Sequence, residues 1–304
     1  MNDPVTVACL AGDGVGPELM ASATRALGHV AHLHALELDE VYLPYAGEAV
    51  TRSGHPLPAA TRERYRNVDA ILVSSSDEPA FDGVKADLEL SWRIARVHLG
   101  ERKDVVVVAP LGPWADATAI EHAFTCASSR RARVAAVGTS EDWYALVERG
   151  RAGHPGLQVE RVGLGEAVIR LKERPEEVDV VVTEAHLLDA LVEAASHFAG
   201  SKASVAHGWM PESGPGVFAP GESESDHLGG FDAADPTGML LTVSLLLAEG
   251  LKRRAASRTL ERAVGAVAGR SGSAPRETRG FTDAVIELLP QTRTDVEHFD
   301  EVWR

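Results

Sequence analysis

The sequence predicts an α/β protein with a largely parallel sheet covered on both faces. Two observations carry this. Short apolar runs, each closed by a glycine-rich or acidic loop, alternate along the chain with stretches of helical periodicity. Several of the runs are apolar almost throughout, as DVVVVAP (104–110) and VDVVVT (178–183) show, and such runs suit strands buried from both sides.

VTVACL (5–10) reads as a buried strand and AGDGVGP as a glycine loop. A helix follows from Pro17, where the missing N–H costs nothing in a first turn. A strand at 36–43, a turn-rich stretch TRSGHPLP (51–58), a helix at 58–67 and the buried strand DAILVSS (69–75) come next. Residues 84–99 have helical spacing, and DVVVVAP is another buried strand. The second half repeats the alternation: helix 116–131, strand 133–138, helix 140–150, strand 157–163, helix 164–174, strand 178–183 and a long helix 184–199. Residues 211–236 and 268–280, rich in Gly, Pro, Ser and charge, are expected to be loops. MLLTVSLLLAEGL (239–251) is too short to span a bilayer and reads as a buried helix.

Composition narrows the function classes. The 304 residues are 44% hydrophobic and a quarter charged, enough for a large core and too apolar for disorder. The formal net charge of −15 repels phosphate backbones and anionic lipid, so neither nucleic acid nor a membrane is an expected partner. Only two cysteines occur, Cys9 in an apolar strand and Cys126 in a helix, which excludes a disulfide framework and fits a reducing compartment. The opening MNDPVTVACLAGDG has no basic segment leading an apolar run, so a cytoplasmic protein is expected.

GDGVGPE (12–18) is the first specific motif. Its third glycine arrives too early for a dinucleotide fingerprint, and no acidic residue is placed to bind a ribose. It is similar to the opening motif of the isocitrate/isopropylmalate dehydrogenases, the β-decarboxylating dehydrogenase family. Further segments resemble that family in the same order: AGEAVTRSGHPLP (46–58), DAILVSSSDEPAFDG (69–83), VDVVVTEAHLLDALVEAAS (178–196), VFAPGESESDHLGGFDAADPTGMLLTVSLLL (217–247) and TRGFTDAVIELL (278–289). The resemblance implies an isocitrate/isopropylmalate dehydrogenase-like fold, not a Rossmann fold, with two α/β domains around a central cleft. Residues 1–97 plus 208–304 would form the large domain. Residues 98–207 would form the middle domain, which carries the dimer interface and the carboxylate helix. A homodimer acting on a small-molecule substrate is the implied assembly.

The resemblance also implies NAD(P)-dependent oxidation of a malate-type alcohol followed by decarboxylation. A divalent ion polarises the ketone, and a lysine and a tyrosine move protons. Asp189 falls on the first metal-binding carboxylate and Glu193 on the second, so Mg²⁺ or Mn²⁺ is the implied ion; the third position, given by the partner subunit, is Gly165, next to Glu166. From spacing alone His186, Asp189, Glu193 and His197 share one helix face, which by itself describes a solvated polar stripe; the resemblance implies that the face lines the cleft. The two carboxylate-clamping arginines fall on Trp92 and Arg102, with Arg93 and Arg96 close by in sequence. Trp92 is either a pocket wall or core packing. With Asp13 and Glu18 it makes up the expected substrate pocket, and Asp189, Glu193, Arg102 and His186 the expected catalytic set.

Other positions depart from the family pattern. The lysine falls on Thr139, and the tyrosine-bearing segment that clasps the partner is missing after DVVVVAP. His98, His122 and Glu141 are the candidate replacements. The Gly-Gly beside the cofactor is Asp77-Glu78, and the adenine loop carries Glu222, Glu224, Asp226, His227 and Asp235. An added carboxylate about 4 Å from a pyrophosphate costs from about 1 kcal/mol in water to several in a cleft, so NAD(P) binding is expected to be lost. Three readings follow: a non-redox isomerase, dehydratase or decarboxylase; a surviving NAD-dependent dehydrogenase; and a non-catalytic partner or regulatory subunit.

Overall fold

The structure is a computed structural model that describes residues 4–75, 79–99, 104–199, 204–221, 229–271, 277–291 and 295–296. The chain divides into two compact units. The first comprises Met1–Glu89, Ala206–Gly208 and Ser213–Arg304; the second comprises Leu90–Val205 and Trp209–Glu212.

The first unit opens with β1 (Val5–Leu10), α1 (Gly16–Leu33) and β2 (Leu38–Tyr42). The loop between β1 and α1 needs its glycines. Gly12 and Gly14 take positive φ of 68° and 57°, and a Cβ on Gly16 would collide with the Ala11 carbonyl. Next come α2 (Ala46–Ser53), α3 (Ala59–Tyr65), β3 (Ala70–Val73) and α4 (Pro79–Asp87). The expected turn-rich stretch thus loses its first three residues to α2, which ends at Gly54 in the left-handed region. β1 pairs in parallel with both β2 and β3. β10 (Gly216–Pro220) adds in parallel to the other side of β3. α9 (Thr237–Leu245) and the π-helical turn after it (Leu246–Gly250) are buried almost throughout, which is why 239–251 reads as apolar on every side. α1, α10 (Arg254–Ser271) and α11 (Thr278–Leu288) form a helical layer with α9.

The second unit holds β4 (Leu90–His98), β5 (Asp104–Pro110), α5 (Asp116–Ser128), β6 (Arg133–Val137), α6 (Glu141–Arg151), β7 (Gln158–Val162), α7 (Leu164–Glu173), β8 (Val180–Thr183) and α8 (Leu188–Ala199). β4 runs antiparallel to β5, and β5, β8, β6 and β7 are parallel in that order. Val105, Val107 and Ala109 share a core with Leu188, Leu191 and Val192 of α8, while α5 packs against β5 and β8. β5 and β8 are thereby buried along nearly their whole length, as all-apolar runs require.

Three expectations are corrected. Residues 84–99 do not form one helix: α4 ends at Asp87, and LSWRIARVH is strand β4. Its buried positions fall in pairs with a period near three, which mimics a helix, but pairing with the Val-rich β5 decides the outcome. The expected loop 211–236 contains β10, and β9 (Val205–Pro211) precedes it unannounced, because VAHGWMP mixes Gly, His and Pro into a buried strand. α10 and α11 also enter the expected loop 268–280 from both sides; residues 272–276 lie outside the described residues.

Candidate active site at one end of the second unit's strands

Strand register gathers the polar groups of the second unit at one end. Val137 of β6 sits beside Thr183 of β8, so Thr139 and Glu184, just beyond them, become neighbours. β5 runs parallel to β8 and ends at Pro110, and antiparallel β4 sets Trp92 against Pro110 and Arg93 against Ala109. Chain segments leaving parallel strands at their C-terminal ends are the usual location of α/β sites.

Glu184 is the most highly coordinated group there. Its carboxylate accepts from the Thr139 N–H at 2.6 Å, the Thr139 hydroxyl at 2.8 Å and the Ser140 hydroxyl at 2.9 Å. Ser140 also caps α6 by accepting from the Trp143 N–H at 3.2 Å. Burial pushes the Glu184 carboxyl up, but these hydrogen bonds and the nearby His186 outweigh it and hold it below the usual glutamate range. Asp116, in the first turn of α5, is raised by partial burial and by the charge of Glu184.

Asp189 accepts from Arg93 Nη1 at 2.7 Å; the Asp189 side chain is 80% exposed, that of Arg93 only 19%. The Arg93 guanidinium stands 5.0 Å from the ring centre of Trp209. Burial lowers the Arg93 pKa and Asp189 opposes this, yet a guanidinium stays charged. Trp92 is buried, 5% exposed, and stacks on His122 at 3.9 Å between ring centres. It therefore packs within its unit.

His186, Asp189, Glu193 and His197 do lie on one exposed face, with His186 in a 3-10 turn (Ala185–Leu187) before α8. Glu166, beside Gly165, is bonded to Arg170, which also holds Glu160. Glu141 is ion-paired with Arg161. His98 lies opposite Asp104, at the far end of β4 from Trp92, and burial pushes its pKa down. It does not join the group. In the first unit, Asp13 accepts from the Gly47 N–H at 2.8 Å and Glu18 lies in the first turn of α1. Asp235 accepts from the Thr237 N–H and hydroxyl at the start of α9. Arg102, Asp77, Glu78, Glu222, Glu224, Asp226 and His227 lie outside the described residues.

A divalent ion fits these residues poorly. Asp189 is already committed to a cation, Gly165 offers no ligand, and no three His, Cys, Asp or Glu side chains gather among the described residues. A divalent ion about 5 Å from a guanidinium is disfavoured by about 2 kcal/mol in water and by roughly 7 kcal/mol at an effective dielectric of about 20.

Sequence reasoning does not single out Glu184, and it leaves the orientation of Arg93 open. The signal for both is position: Glu184 follows the last residue of a parallel strand, and β4 is a strand, so Arg93 has a sheet face rather than a helix face.

The architecture is that of the β-decarboxylating dehydrogenases. It superposes on a β-decarboxylating dehydrogenase from Thermococcus kodakarensis with a TM-score of 0.80, at 21% identity over 99% of both chains. It also superposes on isocitrate dehydrogenase from Methylococcus capsulatus with a TM-score of 0.76, at 16% identity over 93% of this chain and 98% of that one. The isocitrate/isopropylmalate dehydrogenase family model matches residues 6–94. The 3-isopropylmalate dehydrogenase of Bacillus cereus is 27% identical over 94% of this chain and 97% of its own. That of a Synechococcus strain is 28% identical over 86% and 90%. The chain thus has the isocitrate/isopropylmalate dehydrogenase-like fold and is similar in sequence to that family.

Proposed function

We propose that this protein has lost NAD-dependent oxidative decarboxylation and works as a non-redox enzyme, an isomerase, dehydratase or decarboxylase, on a small carboxylic acid. Relatives of the isopropylmalate type suggest the acid class. A cytoplasmic homodimer in bacterial specialised metabolism is the setting that fits this reading. Among the described residues, no helix is long and apolar enough to cross a membrane.

The observation that supports it best is the environment of Thr139. Where the resemblance implies a lysine, the chain has a threonine whose N–H and hydroxyl both bind the Glu184 carboxylate. An anion in the place of a cation suits removal of a proton from carbon next to a carboxylate, rather than management of an alcohol proton during hydride transfer. Glu184, kept ionised, takes the proton. Asp116, with its pKa raised, returns one, a division of roles between two carboxyl groups in unequal environments.

The test is solvent-deuterium exchange followed by NMR on a panel of 2- and 3-substituted malates without nicotinamide. Deuterium incorporation into one panel member, lost in Glu184→Gln, is the expected result. NADH formation from a malate in the presence of NAD, with no exchange in its absence, would refute the reading.

A further inference from the structure

The Arg93–Asp189 pair has a consequence for metal chemistry. Arg93 is carried on β4 with its side chain largely buried, and a buried guanidinium requires an anion. Asp189 supplies it at 2.7 Å from the first turn of α8. The resemblance gives the same carboxylate to a divalent ion, with Glu193 one turn further along and a third ligand at Gly165. One of those ligands is engaged by a cation of the chain itself, and another has no side chain.

We infer that the Arg93 guanidinium stands in for the divalent cation, so that this site carries a built-in positive charge and takes up no metal in the wild-type protein. Three features agree. Arg93 is fixed on a strand rather than on a loop, so its charge is held in place. The face of Trp209, at 5.0 Å, stabilises it on its apolar side. The Asp189 carboxylate, 80% exposed, keeps a pairing role and has no buried ligand environment around it. A guanidinium in this position presents fixed N–H donors to an oxyanion, where a metal would offer a Lewis acid. The inference depends on Asp189 and Glu193 matching the family's metal-binding carboxylates. It does not depend on the non-redox reading.

The experiment is a Mn²⁺ titration of the full-length protein, followed by the electron paramagnetic resonance signal of free Mn²⁺. It compares wild type, Arg93→Met, Asp189→Asn and the double variant Arg93→Met/Asp189→Asn. Methionine keeps an apolar stem against Trp209, and thermal melts check that each variant is folded. Wild type is expected to leave the free Mn²⁺ signal unchanged at millimolar ion. Arg93→Met is expected to bind at least about thirtyfold more tightly, a change that corresponds to about 2 kcal/mol, and the double variant to lose that binding. Stoichiometric uptake by wild type that Asp189→Asn abolishes would overturn the inference. So would the absence of binding in both wild type and Arg93→Met, because Arg93 would then not be what excludes the ion. No substrate is needed, so either failure leaves the proposed activity to its own exchange assay.

Discussion

Replacing Asp104 with asparagine removes the charge at the centre of the second unit's buried ionic network. Asp104 Oδ2 accepts from Arg96 Nε at 2.6 Å and from Arg130 Nη1 at 2.9 Å, and Oδ1 accepts from Arg130 Nη2 at 2.9 Å. Arg130 is shared with Asp179, which accepts from its Nε at 2.8 Å and from the Arg131 N–H at 2.8 Å. The side chains of Arg96, Arg130 and Asp104 are each 16% exposed, so water screens little of the loss. Breaking a buried pair of this kind costs about 3–5 kcal/mol. At about 2–4 °C per kcal/mol, that lowers Tm by roughly 6–20 °C.

The pH dependence has a definite sign. Burial alone would raise the Asp104 pKa, but Arg96 and Arg130 outweigh it and hold the carboxyl far below the usual aspartate range. A depressed folded pKa gives stability that is fully present above the unfolded value of about 3.9 and is lost as pH falls from there through the folded value. The gap between wild type and Asp104→Asn, read by urea unfolding, should be constant from about pH 7 to about pH 5. Below about pH 3.9 it should narrow by about 1.4 kcal/mol per unit. A loss under about 1 kcal/mol at neutral pH, or a gap that does not narrow down to about pH 2, would refute the reasoning.

Two further outcomes follow from the same structure. Ser140→Ala removes the N-cap of α6 and one of the three bonds to Glu184, and should cost about 1–2 kcal/mol by denaturant unfolding; a neutral effect would mean that the cap is dispensable. Glu184→Gln keeps an oxygen for Thr139, so the fold should lose no more than about 2 kcal/mol, while exchange activity falls by about 10²–10⁴ in kcat with little change in KM. Equal losses in stability and activity would reduce Glu184 to a structural role.

The strands most legible in the sequence are those buried along most of their length. β1, β3, β5 and β8 are apolar nearly from end to end, and most of the helices between them follow from their period. β4 escapes such a reading because its buried residues fall in pairs. β9 escapes it because His207, Gly208 and Pro211 interrupt the apolar pattern of a strand that is nonetheless buried. The carboxylate face of α8 is visible from spacing and from the resemblance together. The Arg93 partner of Asp189 is not, since it depends on where β4 lies against α8. The contact between Thr139 and Glu184, 45 residues apart, exists only because β6 and β8 are parallel with Val137 beside Thr183. Neither contact has a local signature in the chain.

Whether this protein has lost the redox chemistry of the dehydrogenases it resembles is tested most directly by nicotinamide binding. In calorimetric titration of the full-length protein with NAD⁺ and NADP⁺, no saturable heat is expected up to millimolar cofactor. A saturable isotherm with a dissociation constant in the micromolar range would contradict the loss and return the protein to the dehydrogenases.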